Sequence, residues 1–162
     1  MKIYFIFFLI TQGFFSNAFA ITLDDAISKA ENVEVKFVCT KSVHANFRKG
    51  PDVKFPIEYQ ILKSGYPLKV IRYADTWYAV EDFEGRIAWI GGVNIRAKCG
   101  GIIKNAGLSS VYFMPNVKSK ILFSLEKGYI LSQIECFTEQ WCEVKIKNVR
   151  GWIQKKDVWG GI

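Results

Sequence analysis

From Val43 to Ile90 the chain runs in short stretches rich in Val, Ile, Tyr, Phe and Trp, each cut off within eight to twelve residues by Gly, Pro, Asn or Asp. The stretches are Val43 to Arg48, Ile57 to Lys63, Leu68 to Tyr73, Trp77 to Glu81 and Arg86 to Ile90. Their residue types favour extended backbone and none is long enough for a helical stripe, so the pattern predicts five strands. Five strands this close together predict one small antiparallel barrel. In the third stretch Leu68, Val70 and Arg72 should share one face, with Lys69, Ile71 and Tyr73 on the other. Neither face is purely polar, as expected of a strand packed inside a barrel and touched outside by a neighbour.

The pattern then recurs. TWYAVEDFEGRIAWI, from Thr76 to Ile90, is echoed by QWCEVKIKNVRGWI, from Gln140 to Ile153, pairing Trp77 with Trp141, Val80 with Val144, Trp89 with Trp152 and Ile90 with Ile153. Upstream, LKSGYPL at Leu62 to Leu68 answers LEKGYIL at Leu125 to Leu131. Gly65 and Gly128 therefore mark a duplication with a period of 63 residues, and the fold class is all-β with two tandem barrels. Gly65, Gly85, Gly128 and Asn148 fall between strands, where a left-handed backbone is easily accommodated.

The first twenty residues differ in kind. Lys2 precedes an apolar run from Ile3 to Ile10, and Ala18-Phe19-Ala20 closes the segment. This is the layout of a secretory signal peptide at 1–20, with cleavage after Ala20. Thr11, Gln12, Gly13, Ser16 and Asn17 interrupt it well short of the ~20 residues that span a bilayer. The expected product is an exported chain of 142 residues with no membrane span, periplasmic or held in the cell envelope, and monomeric. At 21–36, Thr22-Leu23-Asp24-Asp25 reads as a helix start with Leu23, Ile27 and Ala30 on one face, giving a short helix or a leader. The remaining boundaries are 37–97 for the first domain, 98–108 for a linker and 109–160 for the second.

The run VHANFRKGPDVKFPI, from Val43 to Ile57, resembles the opening of bacterial SH3 domains, with Asn46, Arg48, Gly50 and Pro51 at the positions of the Asn-x-Arg-x-Gly-Pro segment. The Gly65 turn, the Trp77 to Val80 strand and the Ala88-Trp89-Ile90 ending complete the likeness. In the second, degenerate copy Val111-Tyr112-Phe113-Met114-Pro115 replaces the opening, while Gly151-Trp152-Ile153 keeps the closing. After the first closing strand Gly91-Gly92-Val93-Asn94-Ile95-Arg96 departs from the polar residue and basic segment frequent in the family. The chain is similar to a group of exported proteobacterial proteins with two such domains. The resemblance implies tandem SH3-like barrels and a binding role, not a particular ligand.

Four cysteines in an exported chain predict two disulfides, with three connectivities open. Cys136 and Cys142 flank a five-residue loop between two strands and can face each other across a hairpin; Cys39 and Cys99 bracket the first domain. No Cys-x-x-Cys pair occurs and His44 is the single histidine, which argues against a metal site. Cys39 and His44, five apart on one extended strand, would point to opposite faces, which removes a cysteine nucleophile with its base. Glu81, Asp82 and Glu84 read as a solvated hairpin, and no phosphate loop or nucleophile elbow occurs. The expectation is a protein without catalysis, metal or cofactor.

Flat rings in shallow grooves suit extended peptides, so Tyr59, Tyr66, Trp77, Tyr78, Trp89, Trp141 and Trp152 are the candidate contacts, with barrel packing as the competing role of each. The ligand implied by the resemblance is cell-wall peptide or a protein tail. A structural role, with both barrels docked as one unit on another envelope protein, is the alternative, and it turns on whether Ile102-Ile103 pairs as a strand. Polyanion binding is a weaker alternative. The net charge is +7, or +6 without Lys2, yet the Lys and Arg residues are scattered singly and an exported chain is not expected to meet nucleic acid.

Overall fold

A computed structural model describes residues 37–161; the expected signal peptide, its expected cleavage site and the expected 21–36 helix or leader lie outside the described residues. In the first half the strands are β1 (Phe37–Thr40), β2 (Ala45–Arg48), β3 (Ile57–Ile61), β4 (Pro67–Ala74), β5 (Trp77–Glu81), β6 (Ile87–Gly91) and, after a 3-10 turn at Gly92–Asn94, β7 (Ile95–Arg96). The second half has β8 (Gly101–Ile103), β9 (Ser109–Tyr112), β10 (Ile121–Leu125), β11 (Ile130–Leu131), β12 (Ile134–Cys136), β13 (Trp141–Ile146), β14 (Val149–Gln154), a 3-10 turn at Lys155–Asp157 and β15 (Val158–Trp159). Every pairing is antiparallel. The first half is one sheet in the order β3-β2-β6-β5-β4-β1-β7, and the second is split into β10-β9-β14-β13-β12 and β11-β8-β15.

Each barrel is therefore richer than the five strands expected. A further strand opens it and a short one closes it, and the duplication governs both. Gly65 donates its N–H to the Thr40 carbonyl, and the Thr40 N–H returns to Tyr66. Gly128 donates to Ile103, whose N–H returns to Tyr129. Lys41 bonds Asn94 as Lys104 bonds Asp157. Every partner is displaced by the 63 residues that separate Gly65 from Gly128. Thus β8, inside the stretch read as a linker, occupies the place in the second barrel that β1 holds in the first.

The two cores meet at this strand. Ile103 packs with Val111, Val144 and Ile153, whereas its neighbour Ile102 packs with Phe47, Leu68 and Ile90 of the first barrel. Cross-strand partners of Ile102 are Ile130 and Trp159, and both also pack against the first core. This apolar row on the outer face of β11-β8-β15 is what the first barrel sits on. Both isoleucines are fully buried, each burial contributing about 1.5–3 kcal/mol relative to exposure. The described residues accordingly cluster as one compact unit.

One expectation for β4 fails at a bulge. Val70 pairs with Val80 but Arg72 pairs with Ala79, leaving Ile71 as the extra residue. Alternation holds through Leu68 and Val70, both buried, and is reset afterwards. Arg72 then lies on the outer face with Ala79, while Tyr73 sits opposite Tyr78. Of the expected left-handed turn positions Gly65, Gly85 and Gly128 have positive φ; in the two-residue loop at 147–148 it is Lys147, not Asn148, that does.

Two disulfides are present, Cys39–Cys99 and Cys136–Cys142. Cys136 and Cys142 are direct cross-strand partners in β12 and β13. In the first barrel the equivalent pair is Tyr73 and Tyr78, ring centroids 6.2 Å apart.

Candidate functional site

The hairpin joining β5 to β6 carries an acid that its sequence context disguises. Asp82 is buried, not solvated. Its Oδ1 accepts the N–H groups of Glu84 (2.9 Å) and Arg86 (3.0 Å), and its Oδ2 accepts Arg86 Nε at 2.7 Å and its terminal nitrogen at 2.7 Å. A carboxylate with four donors holds both the loop and the guanidinium. Arg86 in turn lies 4.2 Å over the Tyr59 ring, and Tyr59 stacks on buried Phe47 with centroids 4.7 Å apart. Burial lowers the Arg86 pKa, but its bond to Asp82 and that charge more than offset this and raise it. Burial, with the Asp82 charge second, pushes the Tyr59 and Tyr66 hydroxyls above the usual phenol range.

Beside this hairpin lies a cleft of about 380 Å³ on the seam between the barrels. Its apolar lining is Ile61, Leu62, Tyr66 and Phe83, and its charged lining is Lys63, Glu84, Arg86 and Lys127. Tyr66 and Phe83 are 5.7 Å apart, centroid to centroid. Lys127, from the second barrel, lies 5.4 Å from the Phe83 centroid and 3.8 Å from a Glu84 oxygen. Lys63 reaches the other way, donating to the Gly128 carbonyl at 3.3 Å.

The rim is held from beneath by Thr40, which is fully buried. Its hydroxyl donates to the Lys63 carbonyl at 2.6 Å and accepts the Tyr66 N–H at 3.0 Å. Cys39, the adjacent residue, is tied to Cys99, so covalent bonding extends to the strand that anchors the cleft.

The seven aromatic candidates do not converge. Tyr66 lines the cleft, and Tyr59 lies behind it, beneath Arg86. Tyr78 faces inward, packing on the first core beside Tyr73, which is 71% exposed. Trp77 and Trp89 lie on the opposite, outer face, where Trp89 receives Arg72 at 5.3 Å from its ring centroid and pairs with Arg48. In the second barrel Trp141 is buried edge-on against Tyr112. Trp152 is half-buried with exposed Phe137 beside it, centroids 5.8 Å apart. Arg48 and Tyr112 hold equivalent places, each paired with a closing Trp.

Cys39 is buried in a disulfide and His44 is exposed directly before β2, so the two share no strand. Among the described residues no group of three or more His, Cys, Asp or Glu is placed to hold a metal ion, and no helix is long and apolar enough to cross a membrane. The residues missed in the sequence are Thr40, Phe83 and Arg86, with Lys127 arriving from the other repeat. The signal for Arg86 was present: an Asp opening a tight loop, with Gly85 before a basic residue, is the pattern of a side chain that bonds its own turn.

Two small antiparallel barrels, each closed by a 3-10 turn and a last short strand, define an SH3-like tandem. A family model described as bacterial SH3 domain matches residues 41–96 and again 108–160. The chain belongs to the bacterial SH3 domain family, and a binding role follows for it. No curated protein matches the chain. Among solved structures it is similar to NlpC2 from Trichomonas vaginalis, with 12% identity, TM-score 0.34, and 76% of this chain and 48% of that one covered. NlpC1 from the same organism gives 10% identity, TM-score 0.35 and coverages of 78% and 46%. An NlpC/P60 family protein from Bacillus cereus ATCC 10987 gives 14%, 0.33, 76% and 56%. The chain thus spans about half the length of the solved proteins it matches.

Proposed function

We propose that the protein is a non-catalytic, exported binding protein of the bacterial cell envelope that takes an extended peptide, from the cell wall or a protein partner, at the seam of its two barrels. The observation that carries this reading is the cleft of about 380 Å³ walled by Tyr66, Phe83, Ile61 and Leu62 and rimmed by charged groups. Apolar walls with a few placed polar groups are what a short peptide segment requires. Two disulfides support an oxidising compartment. Of the aromatic candidates, Tyr66 lines the cleft and Tyr59 supports Arg86, while Trp77, Trp89, Tyr78, Trp141 and Trp152 are assigned to other faces. Retention on purified cell-wall sacculi tests the reading. Phe83→Ala should reduce retention while Trp77→Ala leaves it intact; retention no greater than that of a charge-matched protein would overturn it.

The buried Ile102 row favours a second reading, in which the fused barrels dock as a rigid unit on another envelope protein. Crosslinking in intact cells separates the two by the identity of what is attached. Both require a fixed seam, so limited proteolysis should spare Lys98 and Lys104 until the whole unit unfolds.

A further inference from the structure

The duplication brings the same turn to one cleft twice. Lys63 stands two residues before Gly65 in the first barrel and Lys127 directly before Gly128 in the second, at places the 63-residue period does not pair, since it sets Glu126 against Lys63 and Ser64 against Lys127; both glycines hold left-handed backbone that fixes the turn. The two turns touch, Lys63 to the Gly128 carbonyl. An isolated barrel supplies one such lysine; the seam supplies two, from backbones held by the matching bonds to Thr40 and Ile103. Tyr66 and Phe83 line the same cleft.

The charges can be followed one by one. Arg86 is spent on buried Asp82. Lys63 and Lys127 remain, opposed by Glu84, which lies 3.8 Å from Lys127 and 3.7 Å from Arg86. The balance is a single positive charge beside an apolar wall. We infer that the seam cleft reads a free peptide carboxylate: Lys63 and Lys127 receive the terminal carboxylate while the side chain next to it lies on Phe83 and Leu62. This rests on the peptide-binding reading above. A monoanion neutralises the site, whereas Glu84 repels a second negative charge.

The test uses the purified protein and two pairs of synthetic peptides, acetyl-Ala-Ala-Leu and acetyl-Ala-D-Ala-D-Ala, each with a free carboxylate and as the C-terminal amide. Isothermal titration should give about tenfold tighter binding of the acid than of its amide, the scale of one charge-assisted hydrogen bond, with the difference shrinking as salt rises. Discrimination confined to the D-alanine pair assigns a wall peptide, and to the leucine pair a protein C-terminus; either supports the inference. The double variant K63Q/K127Q, at two exposed positions, should melt within about 2 °C of the parent and bind acid and amide alike. Glu84→Gln should tighten the acid about threefold and leave the amide unchanged. Equal binding of acid and amide by the parent would overturn the inference and leave peptide binding standing. Failure of both peptides with retention on sacculi overturns it and leaves wall binding; failure in both assays overturns the two together.

Discussion

Removing the Asp82 carboxylate should unravel the hairpin that walls the cleft, and the cost can be worked from its partners. Asp82→Ala leaves the Glu84 and Arg86 N–H groups without their acceptor. Bonds to charged groups are worth about 1.5–3 kcal/mol each, but both donors belong to exposed residues and rehydrate, so about 1 kcal/mol each is appropriate. Breaking a fully buried ion pair costs about 3–5 kcal/mol. Here the Arg86 side chain is 45% exposed and can turn to water, which brings that share to about 1 kcal/mol. The sum is about 3 kcal/mol, or about 9 °C in melting temperature for a domain this size. Asp82→Asn keeps an amide oxygen for the two backbone donors and loses only the charge, so it should cost about 1–2 kcal/mol. Thermal melts of the two variants at neutral pH check this. Equal losses for Ala and Asn, or a loss for Ala within the ~0.5 kcal/mol of a neutral surface change, would refute the account. A double-mutant cycle with Arg86→Ala should return a coupling of about 1 kcal/mol.

Four other outcomes are expected. Tyr59 and Tyr66 ionise less readily folded than unfolded, so their contribution is complete below the unfolded phenol pKa near 10 and is lost as pH rises beyond it; alkaline melts should show a decline starting there, smaller in Tyr59→Phe. The Tyr59 hydroxyl is buried without a partner among the described residues, so that same variant should be neutral or more stable by up to about 1 kcal/mol at pH 7. Ile102→Ala should cost about 2–5 kcal/mol and split a single calorimetric transition into two. Removing Cys39–Cys99, which closes 60 residues, should cost about 4 kcal/mol, against about 2 for Cys136–Cys142, which closes six; denaturant melts of the paired Cys→Ser variants measure both.

Strong local patterns were legible: the repeated Gly-to-Trp spacing set the tandem barrels, and the five-residue loop set the Cys136–Cys142 pair. The Trp parity was legible too, since Trp77 and Ala79 must oppose Tyr78 and Val80, and this alone parts the aromatic candidates between two faces. Strand β1 was hidden because four residues ending in Thr40 carry no period; for β8 the Ile102-Ile103 pair raised the question of a strand, but three residues beginning with Gly101 could not answer it, and long-range pairing makes both extended. Ile71 continues the alternation perfectly, so nothing in the residues announces the bulge. The cleft was invisible for a different reason. It joins Phe83 and Lys63 to Lys127, and adjacency across two repeats is a property of the seam.

That seam also sets an order of events. Ile102, Ile130 and Trp159 complete the core of the first barrel, yet a ribosome delivers them after residues 37–97, Trp159 last. While the chain is being made, the first barrel presents an open apolar socket that β8, β11 and β15 cover in turn, and such a surface invites aggregation. A chain halted before Val158 would lack the last member of the row and remain a substrate for holdases and proteases. The duplication that built two look-alike barrels therefore left them unable to mature one at a time.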